Sequence, residues 1–301
     1  MSKSSRVCAA RDGKDMNILT IGNSFTWSLE TYFPSVVHAA GEKLNLKFMN
    51  FGVCELPRHW AYINAEIQNP GIGFYQGVDF PVAARMDSVL SEREWDVVTI
   101  QQASHASWRA ETFEPYAGYI VDYVRKFAPK AEIVVQQTWS YRADHGQFRP
   151  GSSWGITQKE MYAKLTKNYK DLASRYGLRM IPVGYAVELA RKKSPVRFQP
   201  YDPELLNRLA WPDLPPQAGD VVGNIAWGKG ADGEMHLQKD LVHLNIRGEY
   251  LQACVWLAFL YGKSPEETVK YFLPAEIGNS DAAFLRSVAD EAVQTPFAKI
   301  C

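Results

Sequence analysis

Short apolar runs alternate with helical patterns through the first two thirds of the 301-residue chain. This alternation is typical of βαβ units, in which crossover helices join parallel strands. Strands are predicted near 16–22, 46–51, 96–101, 132–137 and 178–183. Three of these strands read DVVTI, EIVVQ and RMIPV, and such nearly continuous apolar runs are expected when helices cover both faces of a sheet. The sequence therefore predicts an α/β fold built on a single doubly wound parallel sheet flanked by helices.

Helical periodicity and loop composition divide the remainder of the chain. Helices are predicted at 28–42, 83–93, 113–127, 157–175, 246–262, 264–273 and 278–294. The stretches 52–82 and 194–236 are rich in Pro, Gly and aromatic residues with weak periodicity, which predicts long functional loops. We expect a polar extension over 1–15 and one domain over 16–301 that carries these two loop excursions.

The charge balance argues against polyanionic partners. The chain has 33 Lys and Arg against 33 Asp and Glu, so it lacks the basic footprint of a protein that binds nucleic acid or an anionic membrane. No apolar run approaches the ~18 residues that span a bilayer. The polar start lacks the apolar segment of a secretory signal, so the cytoplasm is the default expectation, with the periplasm or the exterior if a signal was removed.

The sequence also lacks the spacings that bind metals and nucleotides. Four cysteines, Cys8, Cys54, Cys254 and Cys301, are far apart and are interpreted as free thiols. The histidines show no repeating metal-ligand spacing, and no glycine-rich phosphate cradle is present. We therefore expect neither a metal nor a cofactor, and the oligomeric state stays open.

Ser24 follows the first predicted strand, in the stretch MNILTIGNSF at 16–25. Gly, Asn and Ser are ordinary turn residues, so Ser24 could simply cap the next helix. Alternatively, it is a nucleophile at the carboxyl edge of the sheet, where open α/β folds bind their ligands. A nucleophilic serine needs a base and a group that orients the base. In KDLVHLN, Asp240 precedes His243 by three residues, and on a short loop its carboxylate could reach the imidazole Nδ1.

Three short motifs carry a resemblance to a known family. IGNSF, NFGV and DLVHLN resemble the first, second and last sequence blocks of the SGNH, or GDSL-like, hydrolase superfamily. The resemblance covers about 16–262 and is closest to a branch whose members begin with GNSF. It implies a flavodoxin-like three-layer fold and a serine esterase, with Ser24 as nucleophile, His243 as base and Asp240 as its orienter. It also implies that the backbone N–H groups of Ser24 and Gly52 form an oxyanion hole.

The third block departs from the superfamily pattern. SGNH hydrolases usually carry Gly-x-Asn-Asp here and use the Asn amide in the oxyanion hole, whereas this chain reads VVTIQQASHAS. Gln101 or Gln102 offers the same amide one methylene farther out. Because alternation along a strand sends the two side chains to opposite faces, only one can serve. Gln102 is the predicted donor and Gln101 the alternative, while Ser104 and His105 are interpreted as a polar loop.

Aromatic residues suggest the substrate class. Four tryptophans and one glutamine follow predicted strand ends or lie in the excursions, and we predict that they bind substrate: Trp27, Trp60, Trp108, Gln137 and Trp139. Aromatic faces suit sugar rings, so a small-molecule or glycan ester, above all an O-acetylated carbohydrate, is the expected substrate. The alternative is that the tryptophans pack the long loops onto the domain.

Two other functions stay open at this point. The missing asparagine favours a non-catalytic carbohydrate-binding protein on the same fold. An acyltransferase would use the same serine, histidine and aspartate, and would differ in how well the site excludes water.

Overall fold

The computed structural model describes residues 14–77 and 80–294. Almost all of the predicted extension over 1–15, together with Cys8 and Cys301, lies outside the described residues. Cys54 and Cys254 are buried free thiols. The expectation of one domain over 16–301 stays a prediction.

Nine strands within residues 14–77 and 80–294 form one main sheet and two hairpins. They are β1 Met16–Gly22, β2 Leu44–Asn50, β3 Tyr75–Gly77, β4 Phe80–Ala84, β5 Val97–Ile100, β6 Glu132–Gln136, β7 Arg179–Ile181, β8 Val222–Lys229 and β9 Met235–Leu244. The main sheet has the order β2-β1-β5-β6-β7 with all neighbours parallel, and β3-β4 and β8-β9 pair antiparallel. This is the flavodoxin-like order, so the predicted doubly wound α/β fold is confirmed.

In the part of the chain that the structure describes, ten α-helices connect and cover the strands. They are α1 Ser24–Trp27, α2 Leu29–Ala39, α3 Leu56–Gln68, α4 Met86–Ser91, α5 Tyr116–Phe127, α6 Gln158–Tyr176, α7 Val183–Lys193, α8 Ile246–Tyr261, α9 Pro265–Thr268 and α10 Asn279–Gln294. Local signals set several ends. Thr157 and Glu160 form a capping box before α6, Gly177 ends that helix at φ +64°, and Ser264 caps α9. None of the described helices combines the length and the apolar character that crossing a membrane requires.

The order in which strands are added to the sheet reverses at β1. The chain moves from β1 to β2 on one side and then to β5 on the other side of β1. Since crossovers between parallel strands are right-handed, the two connections lie on opposite faces of the sheet. Helix α8 packs against both α2 and α10, and α5 packs against both α3 and α4 in a second group. The gap between β1 and β5 is therefore the switch point at which such folds bind ligands.

Both predicted loop excursions contain regular structure. The stretch 52–82 includes α3, and the stretch 194–236 leads into the β8-β9 hairpin. Helix α3 buries His59 and Glu66 along with its apolar residues, so its inner face does not show a clear apolar period. Strand β9 has few buried residues, which removes the alternation that predicts a strand.

Candidate active site

Ser24 begins α1 directly after β1, on a sharp strand-to-helix turn. The Asn23 side chain accepts a hydrogen bond from the Phe25 N–H at 3.1 Å, and the Thr26 hydroxyl donates to the Asn23 carbonyl at 3.0 Å. A Cβ at Gly22 would lie 2.9 Å from both the Thr26 hydroxyl and the Gln101 amide nitrogen, so a larger residue would displace side chains that hold the turn. This turn holds the Ser24 side chain at the carboxyl edge of the sheet.

The structure brings Ser24, His243 and Asp240 together. Ser24 Oγ lies 2.8 Å from His243 Nε2, and His243 Nδ1 lies 2.8 Å from Asp240 Oδ2. Because a carboxylate accepts at Nδ1, we assign the ring proton to Nδ1, and Nε2 accepts from the serine hydroxyl. The side chains of His243 and Asp240 are 43% and 46% exposed. The contacts are those predicted, and the catalytic roles stay predictions.

Asp240 and His243 lie on β9, where a short loop was expected. The register between β8 and β9 shifts beside Asp240, so β9 bulges between Asp240 and the end of the strand. Within the bulge, Asp240 Oδ1 accepts the N–H groups of Val242 at 2.9 Å and His243 at 3.0 Å. This Asx-type turn brings residues three apart to the same side, which a regular strand would not do.

The same hydrogen bonds set the charge of Asp240. Partial burial acts to raise the pKa of Asp240, but the bonds from the His243 ring and from the N–H groups of His243 and Val242 outweigh it. The pKa of Asp240 therefore lies well below its ordinary value. The carboxylate stays ionised next to the imidazole at every pH at which an esterase would work.

A residue in the segment after β6 holds the bulge in place by a hydrogen bond. Trp139 Nε1–H donates to the Val242 carbonyl at 2.9 Å. The Trp139 indole stacks on Phe25 with ring centroids 4.0 Å apart, and Phe25 meets the His243 ring edge-on at 5.5 Å. Trp139 is fully buried, although it borders the cavity beside Ser24. Its role in substrate binding stays a prediction, and its indole also supports the residues that contact Ser24.

The backbone N–H groups of Ser24 and Gly52 have no protein acceptor among the described residues. Gly52 lies in the turn after β2, which the Phe51 N–H ties to the Gly22 carbonyl at 3.0 Å. The next residue, Val53, has φ +56°, a conformation that costs a β-branched residue on the order of 1–3 kcal/mol. Strain of this kind is typical of functional turns, and both N–H groups are available to an oxyanion.

The contacts of the Gln102 side chain do not fit its predicted role as an oxyanion donor. Its Nε2 donates to the Thr112 carbonyl at 2.9 Å and to the Thr112 hydroxyl at 3.1 Å, which uses both amide hydrogens. Its Oε1 accepts the N–H groups of Leu56 at 2.9 Å and Ala103 at 2.8 Å. The side chain is fully buried. The prediction that Gln102 donates to an oxyanion is wrong, because Gln102 ties the start of α3 to the loop after β5.

Gln101, the alternative donor, belongs to a buried chain of amides below α1. Its Nε2 donates to Asn23 Oδ1 at 2.9 Å, and its Oε1 accepts from Gln136 Nε2. Gln136 Oε1 accepts from Gln252 Nε2 at 3.1 Å, and both Gln136 and Gln252 donate to the Phe25 carbonyl. Sequence analysis missed this network, which fixes the turn that carries Ser24.

A cavity of about 270 Å³ opens beside Ser24 and His243. Trp27, which is 39% exposed, and Glu249 are among the residues that line it. A second cavity of about 450 Å³ lies on the other side of His243, next to His145 and Asp240. Trp27 is thus the predicted substrate-binding residue that reaches the cavity with an exposed ring. Glu249 and His145 were missed, because nothing in the local sequence marks them.

Three other predicted substrate-binding residues lie elsewhere. Trp60 packs on Tyr119 with ring centroids 4.8 Å apart, and Trp108 packs on Trp154 at 5.5 Å. Gln137 is fully buried, with its amide bonded to α6 and α7. None of the three lines the cavity beside Ser24. Their predicted role is corrected, because these side chains pack the loops and helices onto the core.

Three other histidines have local partners. His59 is buried between Tyr75 and the end of β1, His105 contacts Glu55 at 2.6 Å, and His236 contacts Asp232 at 2.8 Å. Within residues 14–77 and 80–294, no three His, Cys, Asp or Glu side chains are grouped so that they could hold a metal ion.

Comparison with solved structures finds several that are similar to this chain. A DUF4886 family protein from Bacteroides uniformis superimposes with a TM-score of 0.71 at 22% identity, over 94% of this chain and 96% of that one. A protein from Slackia heliotrinireducens inferred to be an SGNH hydrolase gives a TM-score of 0.47 at 19% identity, over 80% of this chain and 96% of that one. An acetyl xylan esterase gives 0.46 at 11% identity, over 81% of this chain and 99% of that one.

No curated protein sequence matches the chain. A family model described as "Domain of unknown function (DUF4886)" matches residues 17–197. The match contains Ser24 and ends before the β8-β9 hairpin. Since it spans more than half of the chain, this protein belongs to the DUF4886 family.

Proposed function

We propose that this protein is a serine esterase of the SGNH type that hydrolyses a carboxylic ester through Ser24, His243 and Asp240. The observation that carries the proposal is the continuous hydrogen-bonded chain from Ser24 Oγ through the imidazole to Asp240, next to an open cavity. The doubly wound sheet supports it, because Ser24 lies at the switch point of the strand order.

In the first half of the reaction, Ser24 Oγ attacks the ester carbonyl carbon while its proton moves to His243 Nε2. The π electrons of the carbonyl pass to its oxygen, which accepts hydrogen bonds from the N–H groups of Ser24 and Gly52. Asp240 accepts from Nδ1 and stabilises the imidazolium. When the tetrahedral intermediate collapses, the alcohol leaves with the proton of Nε2 and the acyl group stays on Ser24.

The second half repeats these steps with water. His243 Nε2 takes a proton from water, whose oxygen attacks the acyl carbon. When this intermediate collapses, the bond between the acyl carbon and Ser24 Oγ breaks, Oγ takes the proton back from Nε2, and the carboxylic acid is released. An added alcohol in place of water would give acyl transfer with the same residues. Two backbone donors remain for the oxyanion, because the side-chain amide of Gln102 donates to Thr112 instead. A single donor contributes about 2.7–4 kcal/mol to such a transition state, so two are enough for catalysis.

For the substrate we propose an O-acetyl group on a carbohydrate. The exposed Trp27 ring and the carboxylates of Glu30 and Glu249 in one small cavity support this choice, because sugars combine apolar ring faces with hydroxyl donors. The balanced charge of the chain gives no support for a nucleic acid or membrane partner.

The test is a panel of short 4-nitrophenyl esters and acetylated oligosaccharides, with and without added alcohols. Wild type should release acetate, and Ser24→Ala should reduce turnover at least about a thousandfold while it unfolds at the same temperature. Glycan binding without turnover would favour a carbohydrate-binding protein. Turnover that survives Ser24→Ala would reject the proposed nucleophile.

A further inference from the structure

The cavity beside Ser24 lies on the side where the alcohol leaves. In the proposed reaction, the oxyanion points to the N–H groups of Ser24 and Gly52, whereas the leaving alcohol must meet His243 Nε2, which returns its proton. Ser24 and His243 both line this cavity and Gly52 does not. The cavity is thus placed to hold the alcohol part of an ester rather than its acyl part.

Glu249 presents a carboxylate to this cavity from the first turn of α8. It is partly buried, and its neighbours are the hydroxyl of Thr31, which bonds to it, and the His243 ring. Burial raises the pKa of Glu249, while the Thr31 bond and nearby His243 act to lower it. No lysine or arginine lines the cavity in the part of the chain that the structure describes. The carboxylate oxygens therefore have room for further donors.

Trp27 offers an apolar surface in the same cavity. Its side chain is 39% exposed, on the last residue of α1 and within one turn of Ser24. The cavity volume of about 270 Å³ is slightly below the range of about 300–1,000 Å³ of pockets for larger ligands. It has room for a single small ring, and its lining includes the Trp27 indole and the carboxylates of Glu30 and Glu249.

We infer that Glu249 is a specificity-determining residue that accepts hydrogen bonds from the hydroxyl groups of a neutral sugar alcohol and excludes anionic alcohols. This inference rests on the proposed esterase function. A hydroxyl bond to a carboxylate is stronger than one between neutral groups, and an anionic sugar in the cavity would meet Glu249 at short range without a compensating cation.

The test compares two acetylated substrates that differ by a single carboxylate: monoacetylated methyl xyloside and monoacetylated methyl glucuronide. Wild type should show a kcat/KM at least about tenfold higher for the xyloside. Glu249→Gln keeps the size and helix propensity of the side chain but removes its charge. It should raise KM for the xyloside, keep kcat within a few-fold, and reduce the preference at least about tenfold.

The control is Glu94→Gln, because Glu94 is an exposed carboxylate paired with Lys130 before β5, at the opposite edge of the sheet. It should keep the wild-type preference. If Ser24-dependent hydrolysis is seen but Glu249→Gln leaves the preference unchanged, this inference fails and the proposed function stands. If no ester is hydrolysed through Ser24, both fail.

A second pair of substrates tests for a cationic alcohol. Acetylcholine and its neutral analogue 3,3-dimethylbutyl acetate differ in charge and have nearly the same shape. Because a carboxylate attracts a cation as it repels an anion, some preference for acetylcholine over its neutral analogue is expected. The kcat/KM for acetylcholine should nevertheless stay below that for monoacetylated methyl xyloside, whose hydroxyl groups bond to Glu249. A higher kcat/KM for acetylcholine than for the xyloside, lost in Glu249→Gln, would show that the cavity selects a cation, and would overturn the inference.

Discussion

The indole Nε1–H of Trp139 donates to the carbonyl oxygen of Val242 at 2.9 Å. A buried side chain after β6 thereby fixes the bulge in β9 that places His243 against Ser24. The bond connects the core of the main sheet to a hairpin in which few residues are fully buried.

Trp139→Phe should remove this bond and keep the ring stacked on Phe25. We expect a loss of about 1–3 kcal/mol in the free energy of unfolding and a fall of about tenfold in kcat, because His243 is held less well. Trp95→Phe is a matched control, since its buried Nε1 donates to the Val89 carbonyl at 3.0 Å. Urea unfolding and ester kinetics on both variants check this. Equal kcat values in the two variants would mean that the Trp139 bond is purely structural.

Asp240→Asn should lower kcat by about 10² to 10⁴ with little change in unfolding temperature, because an amide does not hold the Nδ1–H tautomer or stabilise the imidazolium. Asp232→Asn in the same hairpin is the control, because the Asp232 carboxylate contacts the His236 ring at 2.8 Å at the exposed tip of the hairpin. That variant should keep wild-type kinetics. A near wild-type kcat in Asp240→Asn would assign the pair in β9 to structure instead.

The βαβ part of the fold was predictable because its signals are local. Each strand of the main sheet is a short apolar run, and the capping residues of α6 and α9 mark their own helix ends. The β8-β9 hairpin gave no such signal, because its stability depends on anchors such as the Trp139 bond from distant segments. Helix α3 was hidden by two polar residues, His59 and Glu66, on its buried face.

The candidate site divides in the same way. Ser24, Asp240 and His243 lie in short motifs, so all three could be predicted as site residues from the sequence. Gln102 bonds to Leu56, which is distant in sequence, and to Thr112, which lies in a loop. No local sequence pattern predicts either contact. Most of the tryptophans predicted to bind substrate pack on other side chains. An indole that follows a strand can bury its apolar surface in the core as readily as against a ligand, so its position in the sequence does not distinguish the two roles.

Gln101→Ala and Gln102→Ala should now have opposite effects to those expected from the sequence. Gln101 bonds to Asn23, so its loss should lower kcat about tenfold with little change in KM, through a less well fixed Ser24. Gln102→Ala leaves the buried N–H of Leu56 without its acceptor, at a cost of about 1–3 kcal/mol in stability, and should keep kcat near wild type. Parallel kinetics and urea unfolding separate these effects. A hundredfold fall in kcat for Gln102→Ala alone would restore it as an oxyanion donor.

His59 should make stability depend on pH. Its Nε2–H donates to the Gly22 carbonyl at 3.1 Å, and its Nδ1 lies 2.8 Å from the Tyr75 hydroxyl. Complete burial lowers the pKa of His59 to about 4, against an ordinary value of 6.5. Between these values the unfolded chain binds a proton that the folded chain does not, so stability falls as pH drops from 6.5 to 4, by about 3 kcal/mol.

Urea unfolding at several pH values measures this dependence. His59→Gln should be less stable overall and should have a flatter pH dependence between pH 6.5 and 4. The loss of the Asp240 contribution is distinct, because the pKa of Asp240 is lowered and that loss begins only below its ordinary range. An unchanged slope in His59→Gln would show that other groups control stability in this window.

Covalent trapping of the nucleophile tests the central claim most directly. The protein is incubated with a fluorophosphonate, digested, and mapped by mass spectrometry, beside Ser24→Ala and His243→Ala. Stoichiometric phosphonylation of Ser24, slowed at least about a hundredfold in His243→Ala and absent in Ser24→Ala, is the result expected from a serine activated by His243. Modification of a different residue, or none in a preparation that hydrolyses esters, would contradict the assignment of Ser24.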